Sequence, residues 1–239
     1  MPPEAEVGDH WNRIMGYTFN FTPVWQSLPD LLRGLGLGLG LALASLAVGM
    51  ALGLAVAFGM VSRHGGLRRL ASGYVTFLRN IPLLLIIYFA FLGLPQLGIR
   101  LDKYTAFAGS LTLYGAAYMA EIFRGGLQAV PHGVVEAGRA IGLRPLQIKL
   151  YLILPILFRT TRPALGNAYI SLFKDTSLAA AIAVPELTFQ ARKLNLETFR
   201  IVETWLVTSL LYVLTAVAIA NLLRYLDWRA NRREGRTAP

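Results

Sequence analysis

Cysteine is absent from this sequence of 239 residues, and charged residues are scarce. Without a thiol the chain can form no disulfide, no thiolate nucleophile and no cysteine-ligated metal site. Charged residues make up 15% of the chain, whereas soluble domains average about 25%. Hydrophobic residues make up 55%, and the mean hydropathy is +0.51. This shortage of charge, together with long apolar runs, predicts a membrane protein.

Motifs of catalysis and nucleotide binding are absent as well. The three histidines, His10, His64 and His132, lie in predicted loops, and no His-Glu-x-x-His zinc motif occurs. Ser171 and Lys174 could form a dyad for intramembrane hydrolysis, but two such residues three apart are common by chance. No Gly-x-x-x-x-Gly-Lys-Ser/Thr phosphate-binding loop occurs, so any ATP must be bound by another polypeptide. We therefore expect no enzyme activity, no metal and no cofactor in this chain.

A helix needs about 20 mainly apolar residues to cross a bilayer core of about 30 Å, and five stretches are long and apolar enough to do so. They are Leu31–Val61, Leu70–Leu94, Tyr104–Phe123, Thr160–Ala183 and Val202–Leu226. In the first stretch, glycines recur from Gly34 to Gly59, a pattern typical of transmembrane helices that pack closely. Nucleotide binding is the alternative for these glycines, but no strand precedes them.

The basic residues are distributed unevenly between the two sides of the predicted bundle. Thirteen lie in the loops after the first and third spans and in the tail: Arg63, Arg68, Arg69, Arg124, Arg139, Arg144, Lys149, Arg159, Arg224, Arg229, Arg232, Arg233 and Arg236. Cytoplasmic loops are enriched in Lys and Arg. We therefore expect residues 1–30 to form an extracytoplasmic or interfacial segment, 31–226 the membrane domain and 227–239 a basic cytoplasmic tail. The net charge of +10 then reflects topology and does not indicate nucleic-acid binding.

The loop between the third and fourth spans, residues 125–158, is predicted to be a helix–turn–helix. Pro131 can begin a short helix and Gly142 can end it, because glycine readily adopts the backbone of a helix C-terminal cap. A second segment, Leu146–Leu157, is expected to be interrupted by Pro155. The residues alone leave two interpretations open: the first helix either binds a partner or packs on its own bundle.

The spacing within this loop is a recognisable pattern. Glu136-Ala137-Gly138 is followed after three residues by Gly142, and after nine more by Leu152-x-Leu154-Pro155. It resembles the EAA loop of ABC-importer permeases, with Gly138 and Leu152 in place of Ala and Ile. Residues 74–85 and 115–126 resemble the second and third spans of the histidine/glutamine-type polar amino-acid permeases. The run from Lys174 to Leu178, Lys-Asp-Thr-Ser-Leu, matches a motif of their fourth span.

This resemblance, which covers about residues 28–226, implies an all-α membrane protein of the type I ABC-importer permease class. Five transmembrane helices and a cytoplasmic coupling helix are expected, in a bacterial cytoplasmic (inner) membrane with the N-terminus outside. The implied partners are ABC ATPase subunits that bind ATP and Mg, a second permease subunit, an extracytoplasmic amino-acid-binding protein and membrane lipid. The residues that would couple to the ATPase are Glu136, Ala137, Gly138, Arg139 and Gly142. A secondary transporter or channel without an ATPase is the alternative.

Polar residues within the spans are candidates for the substrate path, because such groups are costly in a membrane. They are Arg79, Asn167, Ser171, Lys174, Asp175 and Thr176. Arg79 could bind a substrate carboxylate or pair with Glu121, and Glu121 could also pair with Arg124 one turn away. Family members that carry cationic amino acids often have an acidic residue where this chain has Ala168. We therefore expect a neutral polar or acidic amino acid as cargo.

Overall fold

The computed structural model describes residues 17–233, and over this range the chain is helical with no strand. Its principal helices are α1 (Thr22–Gln26), α2 (Leu28–Met60), α3 (Gly65–Arg79), α4 (Leu83–Tyr88), α5 (Lys103–Gln128), α6 (His132–Ala140), α7 (Leu154–Asp175), α8 (Leu187–Thr198) and α9 (Ile201–Arg233). Short π- and 3₁₀-helical segments continue α4 to Leu97 and α7 to Ile182. The all-α prediction is confirmed.

Two helices of the described range, α2 and α9, are by themselves long and apolar enough to cross a membrane. The pair Gly65–Arg79 and Leu83–Leu97 passes the same test as one span bent by 101°. The two other predicted spans correspond to α5 and α7, which are long enough but more polar. Both are packed against other helices of the bundle, with α5 between α2 and α7, so their polar residues can face protein instead of lipid.

Buried glycines of the first span allow close packing of α2, at Gly49 and Gly53 against α5 and at Gly34 and Gly38 against the segment between α7 and α8. Gly34, Gly38, Gly49 and Gly53 are all buried, whereas Gly36 and Gly40 of the same helix are exposed. A Cβ atom on Gly53 would lie 2.8 Å from the Ala116 carbonyl oxygen and 2.9 Å from Met119 Cβ. The two backbones therefore approach more closely than any side chain at Gly53 would allow.

The second predicted span, Leu70–Leu94, is sharply bent. Helix α3 ends at Arg79, and α4 begins only at Leu83 after a sharp bend. Pro82 has no N–H to donate and disfavours helical geometry at Ile81, so the α3 helix cannot continue through this point. The bend places Arg79 at a helix end, where its side chain reaches α5.

The loop that precedes α7 differs from the prediction in one respect. Helix α6 ends at Ala140, and Gly142 has a left-handed φ of +80°. Pro155, however, does not interrupt the second segment: the helix runs from Pro145 through a π-helical stretch, Ile148–Ile153, directly into α7. A π-helical turn leaves room for a proline without the usual break. Helix α7 consequently begins at Leu154 instead of Thr160.

Helix α8, between the fourth and fifth spans, was not predicted. Glu186 caps its N-terminus by accepting the N–H groups of Thr188 and Phe189 at 2.9 and 2.8 Å, and the Tyr212 hydroxyl donates to the same carboxylate at 2.9 Å. The carboxylate is completely buried, and burial raises the pKa of Glu186 to about 7. Gly34 of α2 packs against the backbone of this turn, so α8 is fixed to the first span.

The structure describes part of each predicted end segment. Helix α9 continues to Arg233, beyond the predicted start of the tail at 227. In the N-terminal segment, the Tyr17 hydroxyl and the Asn20 N–H both donate to the buried Glu203 carboxylate at the start of α9. Residues 1–16, the first part of the predicted extracytoplasmic or interfacial segment, and residues 234–239 lie outside the described range. Residues 17–20 are therefore anchored to α9 by hydrogen bonds.

Candidate functional site

A cavity of about 300 Å³ lies between the end of α3, the middle of α5 and α7. Each of the three helices contributes polar side chains to its wall. The polar lining residues are Arg79 from α3, Tyr114, Tyr118 and Glu121 from α5, and Asn167, Ser171 and Asp175 from α7. This volume lies at the lower end of the range typical of small-molecule sites, about 300–1,000 Å³.

The helical repeat places these residues on facing surfaces. Tyr114, Tyr118 and Glu121 are four and three residues apart, so they share one face of α5. The Tyr114 hydroxyl lies 3.1 Å from that of Tyr118. The two tyrosines were not among the predicted site residues, although their spacing to Glu121 is visible in the sequence. On α7, Asn167, Ser171 and Asp175 recur at intervals of four and form the opposite wall.

Arg79 and Glu121 form the charged part of the cavity. Nη1 of Arg79 lies 3.8 Å from Oε1 of Glu121, and the guanidinium lies 5.1 Å from the centre of the Tyr118 ring. Arg124 donates to Oε2 of Glu121 at 2.7 and 3.0 Å. Glu121 therefore lies between two guanidinium groups. Because the Arg79 contact is long and its side chain is 42% exposed, the pair is weak and leaves Arg79 able to contact a ligand.

Two predicted substrate-path residues do not line this cavity. Thr176 is completely buried, donates to the Phe173 carbonyl at 2.6 Å and packs against Gly38 of α2. Lys174 is exposed and is not among the lining residues. Ala168, the residue on which the prediction of a non-cationic cargo depends, does line the cavity. Over residues 17–233 no group of His, Asp and Glu is arranged to hold a metal ion.

Helix α6 carries the second candidate site, and its two faces differ. Gly138 is its buried residue: a Cβ there would lie 2.7 Å from Leu152 Cδ1 and 3.2 Å from Ile148 Cγ1 of the π-helical stretch. Glu136, Ala137 and Arg139 are exposed. The helix is thus held against the start of the fourth span by one face, and its other face is exposed.

The end of α6 is defined by backbone hydrogen bonds. The Gly142 N–H donates to the Arg139 carbonyl at 3.0 Å, and the Leu143 N–H donates to the Gly138 carbonyl at 3.0 Å. Both bonds require the chain to reverse at Gly142, where φ is +80°. Four of the five predicted coupling residues therefore lie in the second half of one short, sharply ended helix, and Gly142 follows directly after its C-cap.

A bundle of bent and glycine-packed helices, a polar cavity inside it and a short helix held at its surface define a membrane-embedded transport subunit. The family model described as "Binding-protein-dependent transport system inner membrane component" matches residues 49–232, and the chain belongs to this family. It is accordingly a permease of the ABC-importer class, as the resemblance implied.

Individual relatives support the same class. The chain is 31% identical over 213 residues to the glutamine transport system permease protein GlnP of Escherichia coli (strain K12), covering 88% of this chain and 97% of the relative. It is 34% identical over 178 residues to the probable glutamine ABC transporter permease protein GlnM of Bacillus subtilis (strain 168), covering 74% and 82%. It is 36% identical over 214 residues to the octopine transport system permease protein OccM of Rhizobium radiobacter, covering 86% and 87%.

Solved structures show the same fold. An amino acid ABC transporter crystallised with histidines matches with a TM-score of 0.82 and 30% identity, covering 89% of this chain and all of that one. The inward-facing methionine ABC transporter MetNI matches with a TM-score of 0.74 and 23% identity, covering 86% and 97%. The second likeness concerns the fold alone. Together the two place the helices of this chain in the type I ABC-importer arrangement.

Proposed function

We propose that this chain is the permease subunit of an ATP-driven importer for polar amino acids. The observation that carries the proposal is the cavity in which Arg79, Asn167, Ser171 and Asp175 face one another between three helices. An amino acid carries a carboxylate and an ammonium group, and the cavity offers a guanidinium for the first and a carboxylate for the second. The names of the relatives, which are glutamine and other amino-acid permeases, support the same cargo class.

The proposed cargo is a neutral polar amino acid of the glutamine type. Arg79 would bind the α-carboxylate, and Asp175 the α-ammonium group. Asn167 and Ser171 would then hydrogen-bond an uncharged polar side chain. Ala168 offers no charge to a cationic side chain. Of the two carboxylates in the wall, Glu121 is paired with Arg79 and Arg124, and Asp175 is assigned to the α-ammonium group. Tight transport of arginine by the reconstituted importer would refute this cargo.

The proposed source of energy is a separate ABC ATPase that docks on the exposed face of α6. The ATPase would bind ATP and Mg²⁺, and its closing and opening would move α6 and with it the start of α7. Gly138 makes this transmission direct, because the side chains of Ile148 and Leu152 in the π-helical stretch pack onto the α6 backbone at this residue. The cavity would then open alternately to the two sides of the membrane.

The proposed assembly contains a second permease subunit and an extracytoplasmic amino-acid-binding protein. The chain would lie in the bacterial inner membrane with residues 1–30 and α8 outside, and α6 and the end of α9 inside. The basic residues of the α2–α3 loop, the α6 region and α9 support this orientation.

The test is charge reversal on α6 in the transporter reconstituted with its ATPase in proteoliposomes. Glu136→Lys should abolish ATP-driven uptake and the stimulation of ATP hydrolysis by loaded binding protein, while leaving the amount of inserted permease unchanged. Glu197→Lys is the matched control, because Glu197 is also an exposed glutamate but belongs to α8, on the opposite side in the proposed orientation. Normal uptake and ATPase binding by Glu136→Lys would contradict the docking assignment, and uptake by the chain without any ATPase would establish a secondary transporter or channel.

A further inference from the structure

A second cavity, of about 660 Å³, lies beside α6 on the side of the bundle that carries the α2–α3 loop. It is bordered by that loop, the end of α5, the first turns of α6 and the π-helical stretch before α7. Its volume lies within the range of small-molecule sites, about 300–1,000 Å³. It is separate from the polar cavity inside the bundle, with which it shares no lining residue.

The rim of this cavity is basic. Arg63 and His64 come from the α2–α3 loop, His132 from α6 and Lys149 from the π-helical stretch. No Asp or Glu occurs among the described residues that line it. Within residues 17–233 neither Arg63 nor Lys149 forms an ion pair, so both cations are available to an anion. Four donors from three segments around one opening fit the several oxygen acceptors of a phosphate group.

The inner wall of the same cavity is apolar. Phe58 of α2, Leu127 of α5 and Ile153 contribute to it, and Nζ of Lys149 lies 5.4 Å from the centre of the Phe58 ring. A soluble phosphate would leave this wall exposed to water. An amphiphile would cover the wall with its hydrocarbon chain and place its phosphate among the basic side chains.

We propose that this cavity binds the headgroup of an anionic phospholipid such as phosphatidylglycerol. The proposed orientation places the cavity at the inner leaflet, where anionic lipid is accessible, but the binding itself requires neither an ATPase nor transport. A failure of the lipid site is therefore distinguishable from a failure of the proposed transport function.

The test is native mass spectrometry of the full chain purified in detergent and titrated with phosphatidylglycerol or with phosphatidylcholine of the same acyl chains. The wild type should bind phosphatidylglycerol more tightly. The double variant Arg63→Gln, Lys149→Gln should bind it roughly 30-fold more weakly, about fivefold for each cation removed. Arg68→Gln with Arg69→Gln is the matched control, because it removes the same charge from the same side without changing a lining residue.

Four outcomes would overturn the proposal. An equal loss of affinity for phosphatidylglycerol in the Arg63/Lys149 and Arg68/Arg69 glutamine variants would show that the lipid is attracted only diffusely to the basic side of the protein. Equal binding of the two lipids by the wild type would show that the headgroup charge is not recognised. Displacement of phosphatidylglycerol by millimolar inorganic phosphate, with no effect of the acyl chains, would assign the cavity to free phosphate. The charge-conserving pair Arg63→Lys, Lys149→Arg should bind like the wild type, and its failure would equally contradict the proposal.

Discussion

The close approach of α2 to α5 at Gly53 gives a prediction whose size follows from the structure. Replacing Gly53 by Ala adds a Cβ 2.8 Å from the Ala116 carbonyl oxygen and 3.1 Å from the Ala120 nitrogen, both backbone atoms of α5. Ordinary contact begins at 3.4 Å, so the first distance is about 0.6 Å too short. No side-chain rotation relieves a clash with backbone, and the two helices must separate locally.

The expected cost follows from two opposing contributions. Overpacking of this kind costs about 1–3 kcal/mol. Replacing glycine by alanine within a helix stabilises by about 1 kcal/mol, which offsets part of that cost. Gly36→Ala on the same helix should show only the stabilisation by alanine and no overpacking cost, because nothing lies within 4 Å of its added Cβ. The two variants should therefore differ by about 1–3 kcal/mol, or by about 2–12 °C in Tm for a chain of this size.

The assay is thermal unfolding of the two detergent-purified variants, followed by uptake in proteoliposomes. Gly53→Ala should melt below Gly36→Ala. It should also transport more slowly, because the displaced turn of α5 carries Tyr118, whose ring contacts Arg79 in the cavity. A Tm for Gly53→Ala equal to or above that of Gly36→Ala would refute the close packing of α2 on α5.

Three further predictions concern the coupling helix, the outer turn and the cavity. Gly142→Val should reduce ATP-driven uptake without reducing the amount of inserted permease, because a left-handed φ costs a branched residue about 1–2 kcal/mol. Gly98→Val is the control and should not reduce uptake, because Gly98 has a similar φ of +86° but lies between α4 and α5, outside the coupling helix. Burial raises the pKa of Glu186 from 4.5 to about 7, so this carboxyl loses its proton at lower pH in the unfolded state than in the folded state. The free energy of unfolding should therefore fall as the pH rises from about 4.5 to 7, by up to about 3 kcal/mol. Glu186→Gln should remove this slope, measured as Tm against pH, and an unchanged slope would contradict its assignment to Glu186. Asn167→Ala should raise the KM for uptake about tenfold through loss of a hydrogen bond to substrate, whereas Asn221→Ala on α9 should leave the KM unchanged. Equal KM values for these two variants would contradict the assignment of the cavity as the substrate site.

Much of the local structure follows from residues that act within their own segment. Pro82 predicts a bend because a proline cannot donate a backbone hydrogen bond, and the bend occurs directly before α4. Gly142 predicts the end of α6 because a left-handed residue is needed there. Pro155 shows the limit of such reasoning, since the preceding π-helical stretch accommodates it and the helix continues.

The cavity could be predicted only in part. The interval of four residues between Asn167 and Ser171 places both on one face of α7, and the possible pairing of Arg79 with Glu121 was visible as one of two alternatives. Thr176 follows the same polar run, yet it is buried against α2 and makes no part of the cavity wall. Helical periodicity states which residues share a face but not which neighbouring helix that face will meet.

By itself the sequence determined that this is an all-helical membrane permease, because apolar runs, the distribution of basic residues and the spacing from Glu136 to Pro155 are properties of the chain in linear order. Only the tertiary structure decided which residues form the sites. The α2–α5 contact at Gly53, the cavity between α3, α5 and α7, and the basic rim beside α6 each combine segments distant in the sequence. Such contacts depend on how whole helices pack against one another, and no local pattern of residues encodes them.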